Sequence, residues 1–146
     1  MIFKNLSSKE EVNNWIKESA EECKASYYMP YSHERYSVAV DIGANVGGFC
    51  INAHNHFKKI YAFEPLVENY VVLEEVIKQL KISNVEIFNN AVHSESDKKL
   101  VLKGHKNNIS ADVTCIDVEN RDFVDLEQIC DTVSLDDIFK FHLKKQ

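Results

Sequence analysis

Three short apolar runs, separated by two helical patterns, constrain this chain more than any other feature. Tyr36-Ser37-Val38-Ala39-Val40-Asp41-Ile42 is rich in β-branched residues and apolar on both faces, as a buried parallel strand is. Gly43-Ala44-Asn45-Val46-Gly47-Gly48 follows directly. Phe49, Ile51, Ala53 and Phe57 then predict a helix of about three turns. Ile60-Tyr61-Ala62-Phe63 is a second strand, stopped by Glu64-Pro65. Tyr70, Leu73, Ile77 and Leu80 mark a second amphipathic helix, and Val85-Glu86-Ile87-Phe88 a third strand. Residues 36–90 therefore read β-α-β-α-β, which calls for a parallel sheet with right-handed crossovers.

The glycine-bearing turn carries the chemistry. Glycines after a buried strand permit a tight turn and let a ligand approach the backbone. The helix that follows offers unpaired N–H groups and a partial positive charge, a good seat for a carboxylate. A dinucleotide fingerprint would be G-x-G-x-x-G, but the positions here read Gly43, Asn45, Gly48. The middle glycine, which makes room for a pyrophosphate, is absent. A ligand with a carboxylate and an amine fits this turn better than NAD. Glu64 ends the second strand, about 20 residues beyond Gly43, where an acid can accept two hydrogen bonds from a ribose diol. That spacing is common to NAD and S-adenosylmethionine sites.

The rest of the chain bounds the reading. Its 146 residues suit one domain with a real core. With 17 Lys+Arg against 23 Asp+Glu, the net charge of −6 argues against sequence-independent nucleic-acid binding. No apolar run approaches the ~20 residues of a membrane span, and the N-terminus shows no signal-peptide core. Cys23, Cys50, Cys115 and Cys130 form no C-x-x-C pair, so free thiols in a reducing cytoplasm are expected.

Ser8 and Glu11 form a capping box ahead of a helix with Val12, Trp15, Ile16 and Cys23 on one face, stopped near Pro30. Beyond residue 90 the period changes. Lys99–Leu102, Val113–Val118 and Ile129–Val133 predict a β-rich, antiparallel excursion, with the polar stretch Gly104–Asn108 as a loop. Ser134 and Asp137 predict a capped helix start.

VDIGANVGGF, IYAFEP, the helix with Asn69 and Leu73, NVEIFNNAVHSES and VSLDDIF together resemble the FkbM-type methyltransferase family, in order, from about Val38 to Phe139. The resemblance implies an S-adenosylmethionine (SAM)-dependent O-methyltransferase acting on a sugar, polyketide or similar small-metabolite hydroxyl. It implies an α/β fold, the class I methyltransferase Rossmann-like three-layer sandwich, here truncated, with a parallel sheet core and an antiparallel β-rich extension. Residues 1–37 would be an N-terminal helical extension and 38–146 the incomplete SAM-binding domain. Asp41, Gly43, Asn45 and Gly47 would line the methionine end of the cofactor, Glu64 would hold the ribose, and Asn90 and Ala91 would sit near the adenine.

The family continues after VSLDDIF with a fourth strand reading like L-K-I-D-x-E-G, which this chain does not include. That strand would flank the first one and form the other wall of the crevice at the topological switch point. Without it the first strand is an exposed edge, to be covered by a homo-oligomer partner, by the N-terminal helix, or by a strand from the 98–133 region. The alternative reading is therefore a non-catalytic SAM-binding fragment or inactive relative serving as a binding module; a nicotinamide dehydrogenase is disfavoured by Asn45.

No residue is assigned as catalytic. His93, next to the adenine segment, is chemically able to act as a general base. His54 and His56 are two apart on the expected helix and do not face one site. His33, His105 and His142 have no partner pattern, so no metal is expected. The run Asp117, Glu119, Asp122 and Asp125 reads as a solvated loop.

Overall fold

The computed structural model describes Asn14, residues 36–104 and residues 126–140. Of the expected first helix only Asn14 is described, helical and exposed. The strand expected at Val113–Val118, the loop beyond Gly104 and the acidic run lie outside the described residues, as do Cys23, Cys115, His33, His105 and His142.

Strands β1 (Tyr36–Ile42), β2 (Phe57–Phe63) and β3 (Val85–Phe88) form a parallel sheet in the order β1-β2-β3. The register sets Val40 beside Tyr61 and Ile42 beside Phe63, then Ala62 beside Ile87 and Phe63 beside Phe88. Helices α1 (Gly48–Ala53) and α2 (Val67–Gln79) make the two crossovers. The β-α-β-α-β reading thus holds at every element.

The strand period of two sorts the sheet into two apolar faces. Ala39, Ile60, Ala62, Val85 and Ile87 pack with Cys50 and Ala53 of α1 and Leu73 and Ile77 of α2. Val38, Val40, Tyr61, Phe63 and Phe88 turn the other way and meet Ile138 of α3 (Leu135–Ile138), with Val92 and Val133. The result is an α/β Rossmann-like arrangement of three layers.

The first helix is shorter than its apolar spacing suggests. It ends at Ala53 and tightens into a 3-10 turn at His54–His56. Asn84 donates its side-chain amide to the His54 and Phe57 carbonyls at 2.7 and 2.9 Å, which closes the helix end. Phe57 therefore opens β2, with its ring 5.5 Å from that of Tyr36 and 6.3 Å from that of Phe49. An apolar residue at helical spacing was here an apolar residue starting a strand.

The β-rich excursion is a second sheet of mixed direction rather than an antiparallel one. β4 (Ala91–His93) runs parallel to β6 (Leu126–Ser134), and β5 (Lys99–Gly104) runs antiparallel to it, in the order β4-β6-β5. Thr132 closes the β4–β5 turn: its Oγ1 accepts the Lys98 N–H at 3.0 Å and donates to the Glu95 carbonyl at 2.7 Å. Ser134 caps α3 by accepting the Asp137 N–H at 3.1 Å, as its sequence position predicts.

Among the described residues β1 pairs only with β2. Its tip Ile42 is 54% exposed. The described strands of the 98–133 region do not cover this edge, because β5 and β6 are committed to the second sheet. Cys50 and Cys130 are buried free thiols.

Candidate functional site

The turn leaving β1 uses positive φ at three residues: Gly43 (76°), Asn45 (51°) and Gly47 (94°). Asparagine is one of the few side chains that enters this region readily, so a non-glycine at the centre of the turn is tolerated. The Gly43 and Ala44 N–H groups both donate to the Phe63 carbonyl, at 2.9 and 3.0 Å, which ties the turn to the tip of β2.

The two outer glycines serve different ends. A Cβ on Gly47 would lie 2.6 Å from Leu73 Cδ1, so this glycine lets α2 pack closely on the turn. A Cβ on Gly43 would meet nothing within 4 Å. Gly43 thus leaves open space beside the backbone, where a ligand could lie, while Gly47 is part of the core.

Glu64 stands at the tip of β2 and is only 5% exposed. Its Oε2 accepts the Asn45 N–H at 2.7 Å and its Oε1 accepts the Leu66 N–H at 2.9 Å. The buried Asn69 side chain adds a further hydrogen bond. A carboxylate has about four lone-pair sites, so about one is left. A ribose diol making two bonds would displace one of the three present donors.

Asp41, half-buried near the end of β1, accepts a hydrogen bond from Cys50 Sγ at 3.3 Å. Burial raises its carboxyl above the ordinary range; the Cys50 bond opposes this, and the Glu64 charge adds to the rise. Glu64 is also raised, by burial, against the lowering from its Leu66, Asn45 and Asn69 bonds. Burial first, then the Asp41 charge, keeps the Cys50 thiol protonated. Among the described residues no Lys, Arg or His forms an ion pair with either carboxylate. The Asn45 side-chain oxygen is buried and finds no hydrogen-bond partner among the described residues. Among the described residues the turn therefore gathers two carboxylates with no counter-ion and one acceptor with no partner, groups whose burial is costly unless they are paired.

Asp41, Gly43, Asn45, Gly47 and Glu64 are thus brought to one turn. Asn90 and Ala91 are placed differently. The Asn90 amide points toward the Asp131 carbonyl of β6 at 3.4 Å, and buried Ala91 pairs with Thr132. Asn89, passed over in the sequence, holds the site instead. Its amide donates to the Glu64 and Pro65 carbonyls at 2.8 and 3.1 Å. Both asparagines lie just beyond the end of β3, and only the folded chain tells which of them reaches the Glu64-Pro65 turn. Gln128, in the second sheet, also reaches the Glu64-Pro65 turn, and nothing in the sequence marks it.

His93 is exposed, and its Nδ1 accepts the Glu95 N–H at 3.3 Å. His54 sets Nδ1 against the Ile51 carbonyl at 2.7 Å. Among the described residues no group of three His, Cys, Asp or Glu side chains lies at metal-binding distance, and no helix is long and apolar enough to cross a membrane.

Compared with protein-family models and with curated sequences, the chain matches none. It does match solved structures. One is a SAM-dependent methyltransferase from Aquifex aeolicus, 18% identical over 62% of this chain and 49% of that one, with a TM-score of 0.43. A second is geranyl diphosphate C-methyltransferase from Streptomyces coelicolor in complex with Mg2+, geranyl diphosphate and S-adenosyl-L-homocysteine, 17% identical over 62% of this chain and 36% of that one, TM-score 0.43. A third is M. jannaschii TYW2 in complex with AdoMet, 26% identical over 58% of this chain and 35% of that one, TM-score 0.38. The chain spans between a third and a half of the length of these solved structures.

Proposed function

We propose that this chain binds S-adenosylmethionine at the turn leaving β1 and serves a SAM-dependent methyltransferase. The observation that carries the reading is the pair Asp41 and Glu64, two carboxylates at one turn with no cation paired to them among the described residues. A pyrophosphate would place negative charge against them. A sulfonium and an ammonium place positive charge there. The Asn45 side-chain oxygen supports the same ligand, because an ammonium N–H satisfies an acceptor that otherwise stays unmet.

The open space beside Gly43 admits the amino-acid end of the cofactor to the backbone. Asn45 accepts its amine, Asp41 adds negative charge nearby, and Glu64 takes a ribose hydroxyl at its remaining lone pair. Asn90 and Ala91, two and three residues beyond the end of β3, stay proposed for the adenine side. Bound there, the cofactor would supply a sulfonium methyl group for transfer to an acceptor hydroxyl. This chain's contribution is to hold and orient, which supplies much of the rate in such reactions.

The finer reading is O-methylation of a sugar, polyketide or other small-metabolite hydroxyl in the manner of FkbM-type enzymes. It is supported by the motifs VDIGANVGG, AFEP and VSLDDIF. A cytoplasmic setting and a homo-oligomer covering the β1 edge belong to the same proposal. The alternative, a SAM-binding module without turnover, is favoured by one specific observation: β1 has a described neighbour on one side only. Calorimetry with SAM, followed by a methyl-transfer assay on a panel of sugar and polyketide hydroxyls, separates the two. SAM binding with turnover supports the enzyme, and SAM binding without turnover supports the module. Absence of SAM binding contradicts both.

A further inference from the structure

We propose that Gln128, carried by the second sheet, is a positioning residue for Glu64, so that the β4-β6-β5 sheet and the cofactor site are coupled. The inference rests on the SAM-site reading above and extends it to a residue more than 60 positions away from the acid.

The backbone polar groups of the turn that carries Glu64 are all engaged. The Glu64 N–H donates to the Phe88 carbonyl at 3.0 Å. The Glu64 carbonyl accepts from Asn89 at 2.8 Å. Pro65 has no N–H. The Leu66 N–H is taken by the Glu64 carboxylate itself, and the Leu66 carbonyl accepts the Tyr70 N–H at 2.9 Å. Two groups of the turn reach beyond it to the second sheet: the Pro65 carbonyl, which also accepts from Asn89 at 3.1 Å, and the Val67 N–H. Gln128 serves both. Its Nε2 donates to the Pro65 carbonyl at 2.8 Å, and its Oε1 accepts the Val67 N–H at 3.0 Å.

The second of these bonds is a helix cap supplied from a distance. Leu66 occupies the N-cap position of α2 and offers no side-chain acceptor to the first turn. The amide of Gln128 fills that role from β6. Helix α2 also carries Asn69, which bonds the Glu64 carboxylate. So Gln128 holds the segment that follows Glu64 at two points: the Pro65 carbonyl next to it, and the start of the helix that brings Asn69 against it. β6 is in turn locked to β5 through six register pairs and to β4 through three. A shift of β6 relative to β2 moves the acid, and by thermodynamic reciprocity a ligand on the acid restrains β6.

The test uses the intact chain with SAM as the probe. Gln128→Met keeps the size of the side chain and removes both hydrogen bonds; Gln128→Glu keeps the acceptor for Val67 N–H and serves as the conservative variant. Calorimetry should show SAM affinity reduced about fivefold or more in Gln128→Met and partly restored in Gln128→Glu. Hydrogen exchange should show SAM slowing residues 126–134 of the unsubstituted chain, and doing so much less in Gln128→Met. A Gln128→Met protein that melts earlier but binds SAM as before, with unchanged protection of β6, overturns the inference and leaves Gln128 a structural residue. Glu64→Ala, measured alongside, separates the two levels: unchanged SAM affinity in Glu64→Ala overturns the site reading itself.

Discussion

The Asn45 backbone N–H donates to the Glu64 carboxylate at 2.7 Å, joining the turn after β1 to the tip of β2. One acid thus has two tasks. It holds the turn in shape, and in the proposed site it also takes a ribose hydroxyl.

Replacing Glu64 should therefore show in stability as well as binding. Glu64→Ala leaves the Asn45 and Leu66 N–H groups without their acceptor, and each unmet buried donor costs about 1–3 kcal/mol. SAM affinity should fall by about 1.5–3 kcal/mol for the lost charge-assisted bond. Urea denaturation and calorimetry on the same preparation measure the two effects. Full affinity in a destabilised protein would remove Glu64 from the ligand.

The two outer glycines of the turn should separate along the same lines. Gly47→Ala meets Leu73 at an impossible distance and must adopt a positive φ, so it should lose about 1–3 kcal/mol from overpacking alone. Gly43→Ala has room and loses only about 1–2 kcal/mol for its backbone conformation. Its methyl group projects into the open space, so SAM binding should weaken disproportionately in Gly43→Ala. Equal affinity in Gly43→Ala and the unsubstituted chain would show that the space is not the ligand's.

Asp41 gives a pH signature. Its folded pKa lies above its ordinary value, chiefly through burial, with the Glu64 charge adding to the rise. A group shifted this way contributes stability that is complete below its unfolded pKa and is lost as pH rises through the folded one. Unfolding free energy should accordingly decline as pH climbs from the ordinary carboxylate range through the raised value. Asp41→Asn should flatten that decline, while weakening SAM at neutral pH. Urea midpoints from pH 4 to 7 check it; parallel profiles in the two proteins would contradict it.

Ser134 should matter to α3 and to nothing at the turn. It caps the helix and bonds Ser96 and the Asp137 carboxylate. Ser134→Ala should lose about 1 kcal/mol, within the usual range for a cap. The Asp137 carboxyl is held below its ordinary value by its Ser96 bond first, then Ser134. Stability from that group is present above the ordinary carboxylate pKa and is lost as pH falls through the lowered one. An acid limb that is unchanged in Ser134→Ala would contradict this assignment.

The parts of the fold legible in the sequence are those governed by local rules. The βαβαβ order followed from apolar runs alternating with helical spacing, and the Ser134 cap from a side chain serving its own helix. The turn was legible from its glycines directly after a buried strand; that Asn45 shares their positive φ emerges only from the folded backbone. Failures arose where distant partners decide. Asn84 ends α1 from beyond β2, so Phe57 looked helical when it begins a strand. β6 chooses a parallel neighbour on one side and an antiparallel one on the other, which no local pattern dictates. Gln128 is a lone glutamine in a strand, and only the folded chain sets it against Pro65 and Val67.

The most direct test is a single set of titrations at neutral pH: SAM and NAD, each into the unsubstituted chain and into Glu64→Ala. Heat of binding with SAM alone, diminished in Glu64→Ala, is the outcome the proposed site predicts. Binding of NAD with none of SAM would show that the turn accepts a pyrophosphate after all, and would contradict the account at its base.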